Sequence, residues 1–375
     1  MKIEVVEALS SIAADDWDRL VPANHPFLKH AFLQALEQHH CVGEAMGWVP
    51  RHLTLWDEGA LVGAVPLYEK HNNYGEFVFD HAWADAYHRL GRRYYPKLVS
   101  AIPYTPVVGP RVLATDASLR PRLLQAAQQL AISLEMSGVH LLFGDRETTD
   151  LLQQAQWAIR HDCHFHWHNR GYESFDDFLQ ALKGKRRKQI RMERRRVAEA
   201  GVTIRALNGK TASPEDWAHF NRFYQKTFLD KGGMPTLNLG FFQQVAAAMP
   251  EQVLLFLADR EGACIAGSLM FRSDHALYGR HWGCEEEVDF LHFEACYYQG
   301  IERAIEQGLS LFEPGAQGEH KIPRGFIPIE TRSGHWLTDS FLSGPIQRFC
   351  EEERVFITGY REEKMARQPY RVPPG

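Results

Sequence analysis

Residues 276–326 read ALYGRHWGCEEEVDF (276–290), LHFEACYYQGIERAIEQG (291–308) and LSLFEPGAQGEHKIPRGF (309–326). The first block alternates apolar and polar residues as a half-buried strand does, the second has helical spacing, and the third opens on a short apolar run. Strand, helix and strand make one α/β unit. On the helix, Phe290, Tyr297, Ile301 and Ile305 recur at helical steps and predict one stripe facing a sheet, with Glu294 on the same stripe. A carboxylate among apolar side chains is costly unless it is paired, hydrogen-bonded or protonated. Glu294 is therefore expected to have a partner or a task.

The strand after the helix, Leu309–Phe312, ends in Glu313, Pro314 and Gly315, and a polar loop follows with Gln317, Glu319, His320, Lys321 and Arg324. Ligands of open α/β sheets collect at the carboxyl ends of strands. This loop, with Glu294 nearby, is the first candidate site; a loop that only closes a turn is the plain alternative.

A chain of 375 residues is long enough for two cores. Its 45% hydrophobic and 24% charged residues describe a globular chain and exclude a disordered one. No apolar run spans a bilayer, and MKIEVVEALSSIAADDW lacks the regions of a signal peptide, so no membrane insertion and a cytoplasmic location are expected. The six cysteines are scattered, which argues for reduced, mostly buried thiols.

Upstream, His52–Trp56 and Leu61–Tyr68 predict a hairpin, Gly75–Asp80 a third strand and Lys97–Ile102 a fourth. Helix Ser118–Met136, strand Val139–Phe143, helix Thr148–Trp157 and strand His161–His168 complete a first half. Helices Ser213–Asp230 and Leu239–Ala248 and strands Leu254–Asp259, Cys264–Phe271 and Ala276–Gly283 repeat that order. Strands near Ile327–Thr331 and His335–Thr338, a helix Pro345–Met365 and a Pro-rich tail, QPYRVPPG, expected to be disordered, end the chain. The expected domains are 1–170 and 171–375, with a basic helix over 183–200 at the junction.

That helix contains KGKRRKQIRMERRR (183–196), nine Lys and Arg against one Glu on a chain of net charge −5. It is either a solvated charged face or a grip for phosphates through Lys185, Arg186, Arg187 and Arg191, with Ile190 and Val197 as its thin apolar edge. In HDCHFHWH (161–168), His164, His166 and His168 share one strand face. Neighbours on a single strand converge poorly on a tetrahedral ion, so no metal is expected there.

FDHAWADAYHRLGRRYYPKL (79–98), PYTPVVGPR (103–111), KGKRRKQIRMERRR, HFEACYYQGIERAIEQG (292–308) and FEPGAQGEHKIPRGF (312–326) together resemble the FemAB-like group of GNAT-type N-acyltransferases. The resemblance implies an α/β (α+β) fold of two tandem GNAT-like acyl-CoA N-acyltransferase domains, each a mixed central sheet flanked by helices. It also implies transfer of an acyl or aminoacyl group from an activated donor to an amine on a small molecule or peptide. The co-substrate would be acyl-CoA or aminoacyl-tRNA, with no tightly bound cofactor.

On that reading Glu294 or His320 is the general base for the amine. Tyr297, Gln317, Glu319, Lys321 and Arg324, with Arg280 and His281 of the preceding strand, bind substrate. The sequence departs from the GNAT pattern where a Gly-rich pyrophosphate loop belongs. Gly283 is followed by Cys284, Glu285, Glu286, Glu287, Val288 and Asp289, and acids repel pyrophosphate. The other half offers Val108-Gly109-Pro110-Arg111, whose proline has no N–H. A non-catalytic GNAT-like module that binds RNA or a nucleotide through the basic helix is the alternative.

Overall fold

The computed structural model describes residues 1–316 and 318–371. It contains two compact units, Met1–Cys163 with Glu330–Tyr360, and His164–Ile329 with the segment from Arg361. The sequence predicts a boundary at 170, with the second domain running over 171–375. In the structure residues 330–360 group with the first unit because Arg332–Leu337 pairs with a strand there.

The first unit carries β1 (Lys2–Val6), β2 (Trp48–Pro50), β3 (His52–Asp57), β4 (Ala60–Val65), β5 (Tyr68–Lys70), β6 (Lys97–Ser100), β7 (Leu113–Ala114) and β8 (Gly138–Gly144). One antiparallel sheet runs β1-β3-β4-β7. The β3–β4 hairpin turns through Glu58 and Gly59, both at positive φ, matching the right-handed twist of the strands. β2, β5 and β6 are antiparallel neighbours, and β6 lies parallel to β8. β8 is buried along its whole length, as a strand covered on both faces must be. Leu53, Leu55, Leu123, Val139 and Leu141 form its core with the helix Arg120–Ser133.

Residues 75–80 form a loop and not the expected strand. Their alternation is inverted. Glu76 and Asp80 point inward and are 2% exposed, while Phe77 and Phe79 stand 38% and 62% exposed. The reason is the buried Lys97, whose Nζ lies 2.8 Å from Glu76 Oε2 and also meets Asp80. A buried ammonium demands carboxylates, and this outweighs apolar patterning.

β9 (Ala158–His168) leads into the second unit, whose strands are β10 (Val202–Asn208), β11 (Val253–Arg260), β12 (Ala263–Arg272), β13 (Ala276–Cys284) and β14 (Leu311–Glu313). β10 to β13 form an antiparallel meander, β14 lies parallel to β13, and Trp167 and His168 pair antiparallel to β14. Helix Pro214–Asp230 starts at a capping box in which Ser213 and Asp216 satisfy each other's backbone N–H groups. Residues 291–306 form the helix between β13 and β14. Its glycine, Gly300, lets it approach the sheet: a Cβ there would stand 2.5 Å from the Phe312 ring.

β15 (Ile327–Leu337) is one continuous strand where two were expected, and the helix Ser340–Ala366 follows it. The tail is not disordered through Arg371. Tyr370 is 3% exposed, its hydroxyl donates to Gly325 O at 2.6 Å, and it bridges to Leu182. Residues 372–375 lie outside the described residues.

Candidate active site at the end of strands β13 and β14

β13 and β14 pair only over Ala276↔Leu311, Leu277↔Phe312 and Tyr278↔Glu313. β14 then ends, while β13 continues to Cys284. At this point β13 carries a bulge: Met270 pairs with Gly279 and Leu269 with His281, which leaves Arg280 as the extra residue. Bulges re-aim side chains. Arg280 is turned into the protein, its side chain 2% exposed and its Nη2 3.6 Å from Glu313 Oε2. Burial pulls its pKa down, while Glu313 opposes the shift.

The polar loop continues as a 3-10 turn over Glu319–Arg324. Lys321 is buried and its Nζ donates to Gly315 O at 2.7 Å. Burial, reinforced by Arg280, lowers Lys321 to about 7, so both its ammonium and its neutral amine forms are populated near neutral pH. His164 and His166 belong to the same buried polar layer. Burial holds His164 down at about 3 and His166 well below its ordinary value, so both are neutral imidazoles. Among the described residues no group of three His, Cys, Asp or Glu is placed to hold a metal ion.

Tyr297 and Tyr298 come from a π-helical turn, Glu294–Tyr298, inside the helix 291–306. Such wide turns are frequent at functional sites. The Tyr297 hydroxyl lies 2.8 Å from His320 Nε2. Burial raises Tyr297 well above the ordinary phenol range, so it keeps its proton. His320 is lowered by burial and by Lys321 and Arg324. Both groups are neutral, so the imidazole tautomer sets the direction of this bond: with the proton on Nε2, His320 donates to the Tyr297 oxygen and Nδ1 is left as the basic nitrogen. Phe290 lies outside the stripe expected of it: at φ 66° it caps the helix.

The arginine of the loop meets an acid that sequence reading missed. Arg324 donates to Glu193 through Nη2 at 2.7 Å and Nε at 3.1 Å, to His320 O at 2.6 Å, and lies 3.4 Å over the Phe293 ring. Tyr298 donates to the same carboxylate. Glu193 is the lone acid of the run 183–196. It sits with Ile190 and Val197 on the buried face of helix Gly184–Glu199. That single acid among nine bases was the available signal.

Glu294 is buried, as expected, but its partner is not the loop. Arg194 grips it through Nε and Nη2 at 3.1 and 3.0 Å, Gln299 adds a bond at 2.8 Å, and Arg194 also reaches Glu302 at 2.9 Å. Neither His320, Lys321 nor Arg324 is among its hydrogen-bond partners, so the expected meeting of acid and loop is made by Glu193. His281 packs in apolar surroundings, its ring 5.0 Å from that of Tyr224, and burial lowers it to about 3. Glu319 is exposed and pairs with Lys364 at 2.9 Å. Gln317 lies outside the described residues.

On the basic helix, Lys185 is exposed, Arg186 bonds Gln189 at 3.0 Å, Arg187 is half-buried, and exposed Arg191 meets Asp176 at 3.0 Å. A groove on this flank is lined by Ser174, Phe175, Asp176, Arg191, Arg194 and Glu302. Among the described residues no helix is long and apolar enough to cross a membrane.

Comparison with known proteins gives the family. The FemAB-like model, described as peptidoglycan biosynthesis/recognition, matches residues 8–372. No curated protein sequence matches. Among solved structures, FemX is similar at TM-score 0.57 and 12% identity, covering 92% of this chain and all of its own. The C-terminal domain of a putative lysylphosphatidylglycerol synthetase from Agrobacterium fabrum is similar at TM-score 0.51 and 9% identity, covering 93% of this chain and 96% of its own. L-PGS from Bacillus licheniformis is similar at TM-score 0.51 and 11% identity, covering 85% and 96%. At these identities the likeness concerns fold, and the fold is the tandem GNAT-like α/β arrangement that the sequence implied. With a family model matched over nearly its whole length, the chain belongs to the FemAB-like family.

Proposed function

We propose that this chain is an N-acyltransferase that moves an acyl or aminoacyl group from an activated donor to an amine. The observation that carries the reading is the Tyr297–His320 hydrogen bond on a turn that also presents Lys321, beside the parting of β13 and β14. Membership of the FemAB-like family supports the reaction class.

In this reading the amine lone pair attacks the acyl carbonyl carbon, and neutral His320, its Nε2–H donating to the Tyr297 oxygen, takes at Nδ1 the proton that the nitrogen sheds. Tyr297 fixes the imidazole, and protonated Lys321 stabilises the oxyanion. The carbon–oxygen or carbon–sulfur bond to the donor then breaks, and the leaving group takes up a proton. Arg324, already committed to Glu193, positions the turn. Glu294 anchors Arg194 and with it the basic helix. Arg280, beside Glu313, shapes the polar floor.

The donor favoured here is aminoacyl-tRNA over acyl-CoA. Glu285, Glu286, Glu287 and Asp289 occupy the position where a CoA pyrophosphate would bind, and Glu285 and Glu287 are exposed. Lys185, Arg186, Arg187 and Arg191 are offered as the phosphate contacts. Transfer to a panel of amines should be followed with acetyl-CoA, longer acyl-CoAs and charged tRNA. The expectation is turnover with charged tRNA alone, with affinity falling against salt at a log–log slope of roughly −3 for four contacts. Turnover with acyl-CoA alone overturns the donor assignment. RNA binding without transfer to any amine would establish instead the non-catalytic module.

A further inference from the structure

The first unit contains a cavity that the transfer reaction does not use. It measures about 190 Å³ and is lined by Phe77, Val78 and Phe79 together with Arg160, Asp162 and Thr331. Drug-sized ligands occupy pockets of about 300–1,000 Å³. This one suits something the size of a single side chain.

Its charges are almost all spoken for. Arg160 forks onto Glu353 with contacts of 2.6 to 3.2 Å, and His161 Nδ1 lies 2.5 Å from Glu330. Asp162 differs. Its Oδ1 accepts from the Cys163 N–H at 2.7 Å, and among the described residues it has no ion-pair partner. Asp162 is an exposed residue that lines the cavity. Desolvation raises its pKa and Glu353 adds to the rise, while the Cys163 N–H and the Arg160 guanidinium oppose it. Beside it the Thr331 residue is 3% exposed, and among the described residues its hydroxyl has no hydrogen-bond partner. An orphaned buried hydroxyl costs stability unless a ligand completes it.

The aromatic wall points to the sign of that ligand. Phe77 and Phe79 are exposed, and their faces carry the negative end of a quadrupole. Phe77 and the cavity-lining Phe143 have φ of 61° and 52°, a backbone region bulky side chains avoid. Strain of this kind gathers at ligand clamps. A carboxylate with no ion pair among the described residues, beside an Arg160 already committed to Glu353, together with a hydroxyl unpartnered among those residues and aromatic faces around a side-chain-sized space, describes a receptor for an organic cation.

We infer that this cavity binds a primary alkylammonium group, with Asp162 as counter-ion, Thr331 as acceptor and Phe79 as the cation–π face. The site lies wholly within the first unit and does not depend on the proposed transfer reaction.

The test is a ligand-detected NMR titration of the full chain with n-butylammonium chloride, against potassium chloride and n-butanol as controls. Saturable binding with Kd on the order of millimolar is expected for n-butylammonium. Asp162→Asn should weaken it by about tenfold or more, the loss of a charge-assisted bond. Phe79→Leu, on an exposed side chain, should weaken it about threefold. No binding, equal binding of n-butanol, or equal competition by potassium overturns the inference. Should Asp162→Asn fail to fold by circular dichroism, Phe79→Leu decides, and an unchanged Kd there overturns it.

Discussion

Glu193 Oε1 and Arg324 Nη2 lie 2.7 Å apart, with side chains only 2% and 5% exposed, and this pair ties the basic helix to the turn that carries His320 and Lys321. Losing one member of a buried pair strands the other charge. Glu193→Ala should therefore cost about 3–5 kcal/mol in denaturant unfolding, and Glu193→Leu combined with Arg324→Met should recover most of it. A single-variant loss below about 1 kcal/mol would show that the pair is not what holds the turn.

His320→Ala should lower kcat by about 10²–10⁴ with unfolding unchanged, the usual contribution of a general base. Because a base must be unprotonated, activity rises with pH through its pKa. His320 is held below its ordinary value of 6.5, so the acid limb of the rate profile belongs below that pH. Tyr297→Phe should shift the limb, since it removes the bond that orients the ring. A limb that stays put in both variants removes His320 from the chemistry.

Glu294→Gln separates an anchor from a base. Held by Arg194 at 3.0 and 3.1 Å, Glu294 should tolerate the change with a loss of about 1–3 kcal/mol in stability and retain at least about a tenth of its turnover. Abolished turnover on an intact fold would return the proton transfer to Glu294.

Lys321 gives a stability signature. With its folded pKa near 7 and an ordinary value of 10.5, the unfolded chain binds more protons between those values, so this lysine makes the fold more stable as pH rises through that window. Its share is at most about 1.4 kcal/mol per pH unit. Lys70, lowered to about 7 mainly by burial, acts in the same direction in the first unit. Half-buried Cys296, pushed up to about 12, acts in the opposite one. The quantity to measure is the difference in pH slope between wild type and Lys321→Met from pH 7.5 to 9.5. Lys321→Met should lose part of the positive slope and be more stable at pH 7; identical slopes would contradict the burial.

Tyr370→Phe should cost about 0.5–1.5 kcal/mol, the net value of its bond to Gly325. Truncation before Gln368 should cost more, because Lys183 Nζ also donates to Gln368 O at 2.8 Å. A truncated chain as stable as the full one would mean that the tail does not hold its docked position in solution.

Much of the architecture is legible in the chain because side-chain periodicity is local. The β3–β4 hairpin, the capped helix after Ser213 and the strand–helix–strand of residues 276–313 follow from alternation, caps and turn residues. The loop at 75–80 was misread for an equally physical reason. Its alternation is genuine, but a buried Lys97 from another segment reverses which residues face inward.

Within the site, the sequence determined that Glu294 is buried and that a His-Lys-Arg turn follows β14, since helical spacing and strand length set both. Only tertiary structure decided who meets whom. Glu294 and Glu193 compete for arginines that are far apart in the chain, and the choice of Arg194 for one and Arg324 for the other depends on how two helices and a turn pack. Likewise the bulge that aims Arg280 at Glu313 exists only once β12 and β13 are paired. Pairings between charges distant in sequence are settled by desolvation and distance, and neither quantity exists until the chain has folded.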